Sequence, residues 1–266
     1  MLKTQEYREV FHFFFLEQLL RISDPGLYVL KGGVNLRFFF RSPRYSEDMD
    51  LDVKGANVET LKKNGYKILR NSSFQRVLNT YGIESLEIND PEKAKQTETT
   101  QRFKVGLVLS NGDRLPTKIE FSRRTATRSK DTKIDPAIET NSIEPEIARR
   151  YQRRSFPCRH YSGKQAVLQK IVALAKRPTT QARDVFDLHI LALGGYTKNL
   201  TPNVEVPAEV IEIALNNTLS LGWEEFRGQV LEFLEAPYVE TYNQKRHWQE
   251  LQKKTVLFLK GEGHGI

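Results

Sequence analysis

Three aspartates that alternate with apolar residues carry the strongest chemical signal in this chain, in the run Asp48-Met49-Asp50-Leu51-Asp52-Val53. A β-strand points successive side chains to opposite faces, so this spacing places the three carboxylates together on one face. Two carboxylates about 4 Å apart repel by roughly 4 kcal/mol at an effective dielectric constant near 20, so a cation is expected between them. Oxygen ligands without neighbouring His or Cys favour Mg²⁺, and the alternative is an edge strand with solvated charges.

A glycine pair precedes these aspartates in the sequence. Gly32-Gly33 follows a predicted buried strand, residues 27–30, and starts a predicted helix over residues 34–40. Free backbone N–H groups at a helix N-terminus bind phosphate, so this turn is a candidate site for the β- and γ-phosphates of a nucleotide. Asp48 and Asp50 would then hold the Mg²⁺ bound to the same phosphates. A tight connection without any ligand is the alternative.

Glu120 is the candidate for a third carboxylate. It lies between two apolar residues near the end of a predicted strand, so its side chain points away from these neighbours. An adjacent strand would bring it beside Asp50, and the alternative is an exposed residue paired with Lys118. Asp48, Asp50 and Glu120 are therefore the predicted metal ligands.

Two charged residues of the predicted C-terminal helices lie on apolar faces. Lys170 lies at the edge of an apolar stripe, and Asp184 shares a helix face with two leucines. A carboxylate on an apolar face needs a partner, which Lys170 or Arg183 would supply. A structural ion pair and a phosphate-binding lysine oriented by the aspartate are both open at this point. His189 on the same helix is expected to be a packing residue.

Basic residues outnumber acidic ones by 41 to 33, and the net charge of +8 suits a partner rich in phosphate. Clusters of basic residues have aromatic residues among them, as base-stacking surfaces require, although aromatic residues are more often part of the core. The clusters are Arg37, Arg41 and Arg44; Arg123, Arg124, Arg128 and Lys130; and Arg149, Arg150, Arg153, Arg154, Arg159 and His160, with Tyr45, Tyr151, Phe156 and Tyr161 between them. We expect RNA to bind Arg149, Arg150, Arg153 and Arg154.

Apolar periodicity and turn residues predict an α/β (α+β) fold with two lobes. The first lobe, residues 1–160, has a mixed sheet whose clearest part is a hairpin over residues 102–121, closed by Asn111-Gly112. Its other predicted elements are helices over residues 7–22 and 58–78, the latter interrupted at Asn64-Gly65, and a strand over residues 83–88. The second lobe, residues 161–266, is predicted to be helical and to contribute Lys170 and Asp184 to the site. Its predicted helices span residues 163–176, 183–193, 207–221, 223–235 and 240–260.

The single cysteine, Cys158, excludes an intramolecular disulfide and a thiolate zinc site, and it is expected to be a small buried residue. No apolar stretch approaches the length needed to span a bilayer, and charged residues interrupt the apolar N-terminal segment. The sequence therefore predicts a soluble, cytoplasmic protein without membrane contact.

Five blocks occur in the order found in the AbiEii/AbiGii-type nucleotidyltransferase toxins, which the chain resembles over roughly residues 20–195. They are Lys31-Gly32-Gly33, Arg44-Tyr45-Ser46-Glu47-Asp48-Met49-Asp50, Lys118-Ile119-Glu120, Lys170, and Arg183-Asp184-Val185-Phe186-Asp187-Leu188. The second and fifth blocks are the most specific. Because that family resembles the wider DNA polymerase β-like nucleotidyltransferases, a polymerase β-like first lobe is implied.

The resemblance implies an NTP-dependent enzyme paired with a transcription-regulator antitoxin, which in some members transfers nucleotides onto the 3′ end of tRNA. It makes Asp48 and Asp50 metal ligands and Lys170 and Asp184 further catalytic residues. The nucleotide-binding residues expected from these blocks are Lys31, Gly32, Gly33, Ser46 and Lys170.

In a two-ion arrangement, Asp50 would bridge both Mg²⁺ ions, Asp48 would hold the nucleotide-bound ion and Glu120 would complete the other. Asp52 has no expected role beyond supporting its neighbours. Three alternatives remain open: a metal-dependent RNA nuclease, a protein nucleotidyltransferase and a non-catalytic RNA-binding protein. A requirement for NTP separates nucleotidyl transfer from RNA cleavage.

Overall fold

The computed structural model describes residues 2–90, 97–123 and 137–262. These residues belong to two compact units. The first unit contains the strands and helices of the N-terminal half of the chain as far as His160. The second contains the described part of Tyr161–Ile266 and also the short segment Phe40–Arg44, which precedes it by more than a hundred positions in the sequence.

A seven-stranded mixed sheet confirms the predicted fold class. Its strands, in spatial order, are β3 (Ile83–Ile88), β4 (Thr100–Leu109), β5 (Arg114–Ser122), β2 (Asp48–Val53), β1 (Tyr28–Lys31), β7 (Pro157–Tyr161) and β6 (Ile138–Ser142). Strand β2 runs antiparallel to β1 and parallel to β5, and β4 runs antiparallel to both β3 and β5. The two strands with the candidate carboxylates are therefore direct neighbours.

The helices of the first unit are α1 (Thr4–Ile22), α2 (Gly32–Phe39), α3 (Val58–Leu69), α4 (Ser72–Asn79) and α5 (Pro145–Arg150). Helix α1 is apolar on nearly every side because it packs against α3, α4, β2 and β5. Its buried rings, Phe11, Phe13, Phe14 and Phe15, form much of the core. Glu9 is buried with them, and it is paired with Arg37 and accepts a hydrogen bond of 2.5 Å from the Tyr151 hydroxyl.

The predicted interruption of the helix over residues 58–78 is wrong in its position. Helix α3 continues through Gly65, and the break comes at Arg70-Asn71, where the Asn71 side chain accepts from the Phe74 N–H at 2.9 Å and caps α4. A Cβ at Gly65 would overlap the ring of Phe103 on β4. This glycine therefore permits close packing of helix on sheet rather than ending the helix.

Strands β6 and β7 and helix α5 were not predicted from the sequence. Strand β6 is short, mostly polar and exposed, so it lacks the alternation of a half-buried strand. Strand β7 pairs in parallel with β1, with His160 opposite Leu30. Cys158 in β7 is buried, as expected, and burial raises the pKa of its thiol to about 12.

The described part of the second unit is helical. Its helices are α6 (Gly163–Lys176), α7 (Ala182–Leu193), α8 (Pro202–Glu205), α9 (Ala208–Ser220), α10 (Trp223–Gln229), α11 (Ala236–Tyr242) and α12 (Lys245–Lys260). The predicted helix over residues 223–235 ends early, with a 3₁₀ turn at Leu231–Phe233, and the predicted helix over residues 240–260 is divided at Asn243-Gln244. None of the described helices is long and apolar enough to cross a membrane.

Candidate active site

The candidate carboxylates lie on one face of two paired strands in the first unit. Met49, Leu51 and Val53 on β2 are buried, whereas the three aspartates between them point to the opposite, half-buried face. The register of β2 with β5 places Asp50 directly opposite Glu120. Neighbouring strands are about 4.8 Å apart, so these two side chains rise side by side from the sheet.

Cationic side chains neutralise most of the acidic residues on this face. Lys118 Nζ lies 2.8 Å from Asp48 Oδ2, and Lys31 Nζ lies 2.6 Å from Asp52 Oδ1. Glu120 Oε2 is paired with Arg102 Nη2 at 2.7 Å. The expected alternative partner of Glu120, Lys118, is therefore engaged by Asp48 instead.

Asp50 differs from its neighbours, because within the described part of the chain its carboxylate makes neither a hydrogen bond nor an ion pair. Removal from water raises the pKa of the Asp50 carboxyl, the charges of Lys31 and Lys118 oppose this shift, and those of Glu120 and Asp48 add to it. A partly buried carboxylate beside two other acids favours a bound cation, which would stabilise its ionised form.

The Gly32-Gly33 turn leads from β1 directly past this carboxylate. Gly32 has φ +70°, a backbone conformation that L side chains rarely adopt, and a Cβ added there would lie 3.3 Å from Asp50 Oδ2. The absence of a side chain keeps the space beside Asp50 open at the N-terminus of α2. On the other side, Ser46 Oγ donates to the Asp48 carbonyl at 2.9 Å and fixes the approach to β2.

The donor set of this face fits Mg²⁺. No group of three or more His, Cys, Asp or Glu side chains among the described residues is arranged to hold a metal by itself. Mg²⁺, however, needs only one or two protein carboxylates when substrate phosphates and water complete its coordination. Asp50 and Glu120, directly opposite each other, supply that number of hard oxygen ligands.

Helix α1 holds the beginnings of both carboxylate strands, which the sequence did not indicate. His12 Nε2 lies 2.9 Å from Thr117 Oγ1, and that hydroxyl donates to the Glu47 carbonyl at 2.7 Å. Arg8 Nε, one turn earlier, donates to the Pro116 carbonyl at 2.9 Å. The only sequence signal was a pair of polar residues four positions apart in an apolar helix.

The second unit contains a buried ionic cluster of its own. Lys170 Nζ lies 2.8 Å from Asp184 Oδ1 and 2.6 Å from Asp187 Oδ2. Arg44 binds Asp187 through two hydrogen bonds, of 3.0 and 2.9 Å, and Arg177 Nε lies 2.7 Å from Asp184 Oδ2. Lys170 and both aspartates are buried. The predicted partnership of Lys170 with Asp184 is thus present, whereas Asp187, Arg44 and Arg177 were not anticipated as members.

Asp187 is ionised strongly despite its burial. Desolvation would raise the pKa of its carboxyl, but the charges and hydrogen bonds of Arg44 and Lys170 outweigh it and lower the pKa to about 2. On the same helix, His189 packs in the interior as expected, with Nε2 3.2 Å from the Tyr242 hydroxyl. Burial and the charge of Lys254 lower the pKa of His189 to about 4.

The structure separates the basic clusters into exposed and buried residues. Arg149, Arg150, Arg153 and Arg154 are exposed. Two arginines grouped with the RNA-facing clusters, Arg37 and Arg44, are instead buried in ion pairs. The aromatic residues offered as stacking platforms are core residues in three of four cases, namely Tyr45, Tyr151 and Tyr161. Arg124, Arg128 and Lys130 lie outside the described residues.

Comparisons with known proteins agree with this geometry. A family model described as nucleotidyl transferase AbiEii toxin of type IV toxin–antitoxin systems matches residues 15–245. JHP933 from Helicobacter pylori is 18% identical over 99% of this chain and 97% of its own, with a TM-score of 0.55. MenT4, a nucleotidyltransferase toxin from Mycobacterium tuberculosis, is 15% identical over 93% of this chain and 81% of its own, with a TM-score of 0.58. The comparison with curated proteins gave no match. The two solved structures show a shared fold.

Proposed function

Because this chain belongs to the family of AbiEii nucleotidyl transferase toxins of type IV toxin–antitoxin systems, we propose that it transfers a nucleoside monophosphate from an NTP to RNA. The expected acceptor is the 3′ end of tRNA, and a transcription regulator is the expected antitoxin. The observation that carries the proposal is the Asp50 carboxylate, which is without an ion pair in the described residues, stands opposite Glu120 and faces the open turn at Gly32.

In the proposed reaction, the acceptor hydroxyl oxygen bonds to the α-phosphorus of the NTP while the bond to pyrophosphate breaks. The backbone N–H groups at Gly32-Gly33 bind the β- and γ-phosphates, helped by the positive end of α2. Mg²⁺, held by Asp48, Asp50 and Glu120, would lower the pKa of the attacking hydroxyl and neutralise charge on the leaving pyrophosphate.

Lys31 and Ser46 complete the proposed nucleotide-binding set of the first unit. Lys31 is held by Asp52, which gives that third aspartate a supporting role. Lys170 and Asp184 are proposed as further catalytic residues because they occupy the positions that match the family's motifs. Support for them comes from the cluster itself, since a lysine buried between two aspartates is held in one position.

Nucleotidyl transfer is tested directly by incubating the purified protein with total tRNA, Mg²⁺ and each labelled NTP in turn. We expect label on RNA with one NTP at least, and loss of more than a hundredfold in rate for Asp50→Asn. Glu59→Gln, an exposed carboxylate in the first turn of α3, is the matched control and should retain the wild-type rate.

The same assay distinguishes the other reactions that these carboxylates can support. Shortened RNA without added NTP would identify a nuclease, and label on protein alone would identify a protein acceptor. Equal labelling by the wild-type protein and by Asp50→Asn would refute the site assignment. Removal of Mg²⁺ by a chelator should abolish labelling and its readdition should restore it.

A further inference from the structure

A cleft of about 540 Å³ opens on the polar face of the sheet beside Asp48. Its lining includes Glu47, Asp48, Lys104, Gly106, Thr117 and Lys118, which come from the approach to β2 and from strands β4 and β5. Small-ligand sites have volumes of roughly 300–1,000 Å³, so the cleft is large enough for one nucleotide. The nucleotide-binding role proposed above for the Gly32-Gly33 turn does not use it.

Two lysines face each other at this cleft. The antiparallel register of β4 and β5 places Lys104 directly opposite Lys118. Like charges at directly opposed positions of a sheet repel each other. Lys118 is neutralised by Asp48 at 2.8 Å, whereas Lys104 is exposed and forms no ion pair with any described residue. The pair therefore carries an excess positive charge, which favours an anion between the two ammonium groups.

The position of the lysines relative to the carboxylates indicates which anion this is. In the sheet order β4-β5-β2-β1, the strands with Glu120 and Asp50 lie between the lysine-bearing edge and the strand that ends in the glycine turn. Donor phosphates at the glycine turn would lie on one side of the carboxylates, and the cleft lies on the other. The acceptor must approach from the side that the donor leaves open.

We propose that this cleft binds the 3′-terminal nucleotide of the acceptor RNA, with Lys104 and Lys118 on its backbone phosphate. The assignment rests on the proposed nucleotidyl transfer and adds to it the surface that selects a phosphate-bearing acceptor. Cation binding by Asp48 would release Lys118 from its present ion pair, so both ammonium groups would then be available to the same phosphate.

The kinetic test varies tRNA and NTP separately for Lys104→Ala and Lys104→Glu. Loss of one charge-assisted phosphate contact should raise KM for tRNA about fivefold in Lys104→Ala and more than tenfold in Lys104→Glu, with KM for NTP unchanged. Lys67→Glu on α3, which is exposed and distant in sequence from the cleft residues, is the matched control and should leave both constants unchanged. A rise in KM for NTP instead would overturn the proposal, because the cleft would then hold the donor.

A binding measurement separates this inference from the proposed function. Fluorescence anisotropy with a labelled RNA minihelix, in Mg²⁺ without NTP, gives affinity in the absence of any reaction. The slope of log K against log salt concentration should decrease by about 0.7 in Lys104→Ala, as expected for one phosphate contact on a single strand. An unchanged slope would refute the cleft assignment even if transfer is observed. A reduced slope in a protein without transferase activity would support the cleft and reject the reaction.

Free mononucleotides provide the last arm of the test. If the cleft recognises RNA, a nucleoside monophosphate should compete only weakly with the minihelix, and Lys104→Glu should not alter its inhibition constant for NTP. Strong competition by a free nucleotide that is lost in Lys104→Glu would identify a mononucleotide site and overturn the RNA assignment. Lys104 is exposed, so its variants should unfold at the wild-type temperature.

Discussion

The reactivity of the Asp50 carboxylate depends on a residue with no side chain. Gly32 combines a φ of +70° with a Cβ position 3.3 Å from Asp50 Oδ2, so any substituent is both strained and directed at that carboxylate. We predict that Gly32→Ala costs about 1 kcal/mol of stability and lowers transfer at least tenfold. Steady-state rates and urea unfolding would measure the two effects separately.

Gly112 supplies the control for Gly32. It has a similar positive φ, +86°, in the hairpin turn, but nothing lies within 4 Å of an added Cβ. Gly112→Ala should therefore have a similar stability cost and retain the transfer rate. Equal loss of activity in both variants would show that backbone strain alone, and not the space beside Asp50, limits the reaction.

The second prediction at the residue scale concerns Asp187. Its folded-state pKa of about 2 lies below its ordinary value of 3.8, so its ionised form stabilises the fold fully above about pH 4. That contribution, about 2 kcal/mol, is lost as the pH falls from about 4 through 2. Urea unfolding from pH 5 to pH 2 should show this loss in the wild type and not in Asp187→Asn. The same pH dependence in both proteins would contradict the assignment.

Some of the site residues could be predicted from sequence and others could not. Alternation within β2 and β5 was sufficient to place Asp48, Asp50 and Glu120 on one face, because strand periodicity is a local property. The partnership of Lys170 with Asp184 followed from the cost of an unpaired carboxylate on an apolar face. Arg44 could not be assigned to Asp187, since 143 residues separate them and only tertiary packing brings them together.

At the scale of elements, α1 acts on the active-site face through a single histidine. Since the Thr117 hydroxyl donates to the Glu47 carbonyl, it accepts the Nε2–H of His12, and this relay fixes the residue that precedes Asp48. Burial, and secondarily the charge of Arg8, lower the pKa of His12 to about 3, so the ring is neutral at physiological pH. His12 is therefore a positioning residue, with no acid–base part in the reaction.

We predict that His12→Ala raises the Mg²⁺ concentration needed for half-maximal activity severalfold and costs about 1–3 kcal/mol of stability. His12→Gln should restore part of the activity, because its amide N–H can donate to the same hydroxyl. His189→Gln is the matched control, a buried histidine with one hydroxyl partner in the second unit. It should cost stability without altering the Mg²⁺ requirement. A shift of equal size in both variants would show a general effect of destabilisation.

Helix α3 gives a prediction opposite in sign to helix propensity. Replacing glycine by alanine inside a helix ordinarily stabilises it by about 1 kcal/mol. At Gly65 the added Cβ would overlap the buried ring of Phe103, so Gly65→Ala should instead destabilise the protein by about 1–3 kcal/mol. Urea unfolding would measure the difference, and a stabilised variant would show that the ring moves aside at little cost.

Element boundaries followed the sequence where the signals were local. The helix over residues 163–176 and the hairpin closed by Asn111-Gly112 were predicted correctly, because caps and tight turns depend on adjacent residues. Gly65 was misinterpreted because a helix-breaking residue and a close-packing residue look alike in sequence. Strand β6 was missed because its residues are polar and exposed, and its place is set by the neighbouring strand.

At the scale of the whole molecule, the charge of +8 is distributed between ion pairs and exposed arginines. Arg154 is exposed and makes no ion pair with any described residue, which makes it the clearest test of the predicted RNA-binding cluster. Arg154→Ala should weaken RNA binding and reduce the salt slope by about 0.7. Arg246→Ala, an exposed arginine of α12, should not. Anisotropy titrations at several salt concentrations would measure both, and equal slopes would exclude Arg154 from the RNA contacts.

The place of the segment Phe40–Arg44 in the second unit has a consequence for synthesis on the ribosome. Its Arg44 pairs with an aspartate made 143 residues later. At roughly 5–20 residues per second, the nascent chain waits about 7–30 s before the carboxylate that neutralises this arginine exists. A polypeptide truncated before Asp187 can never bury Arg44 as a paired ion, so premature termination leaves a folding intermediate and not a working fragment.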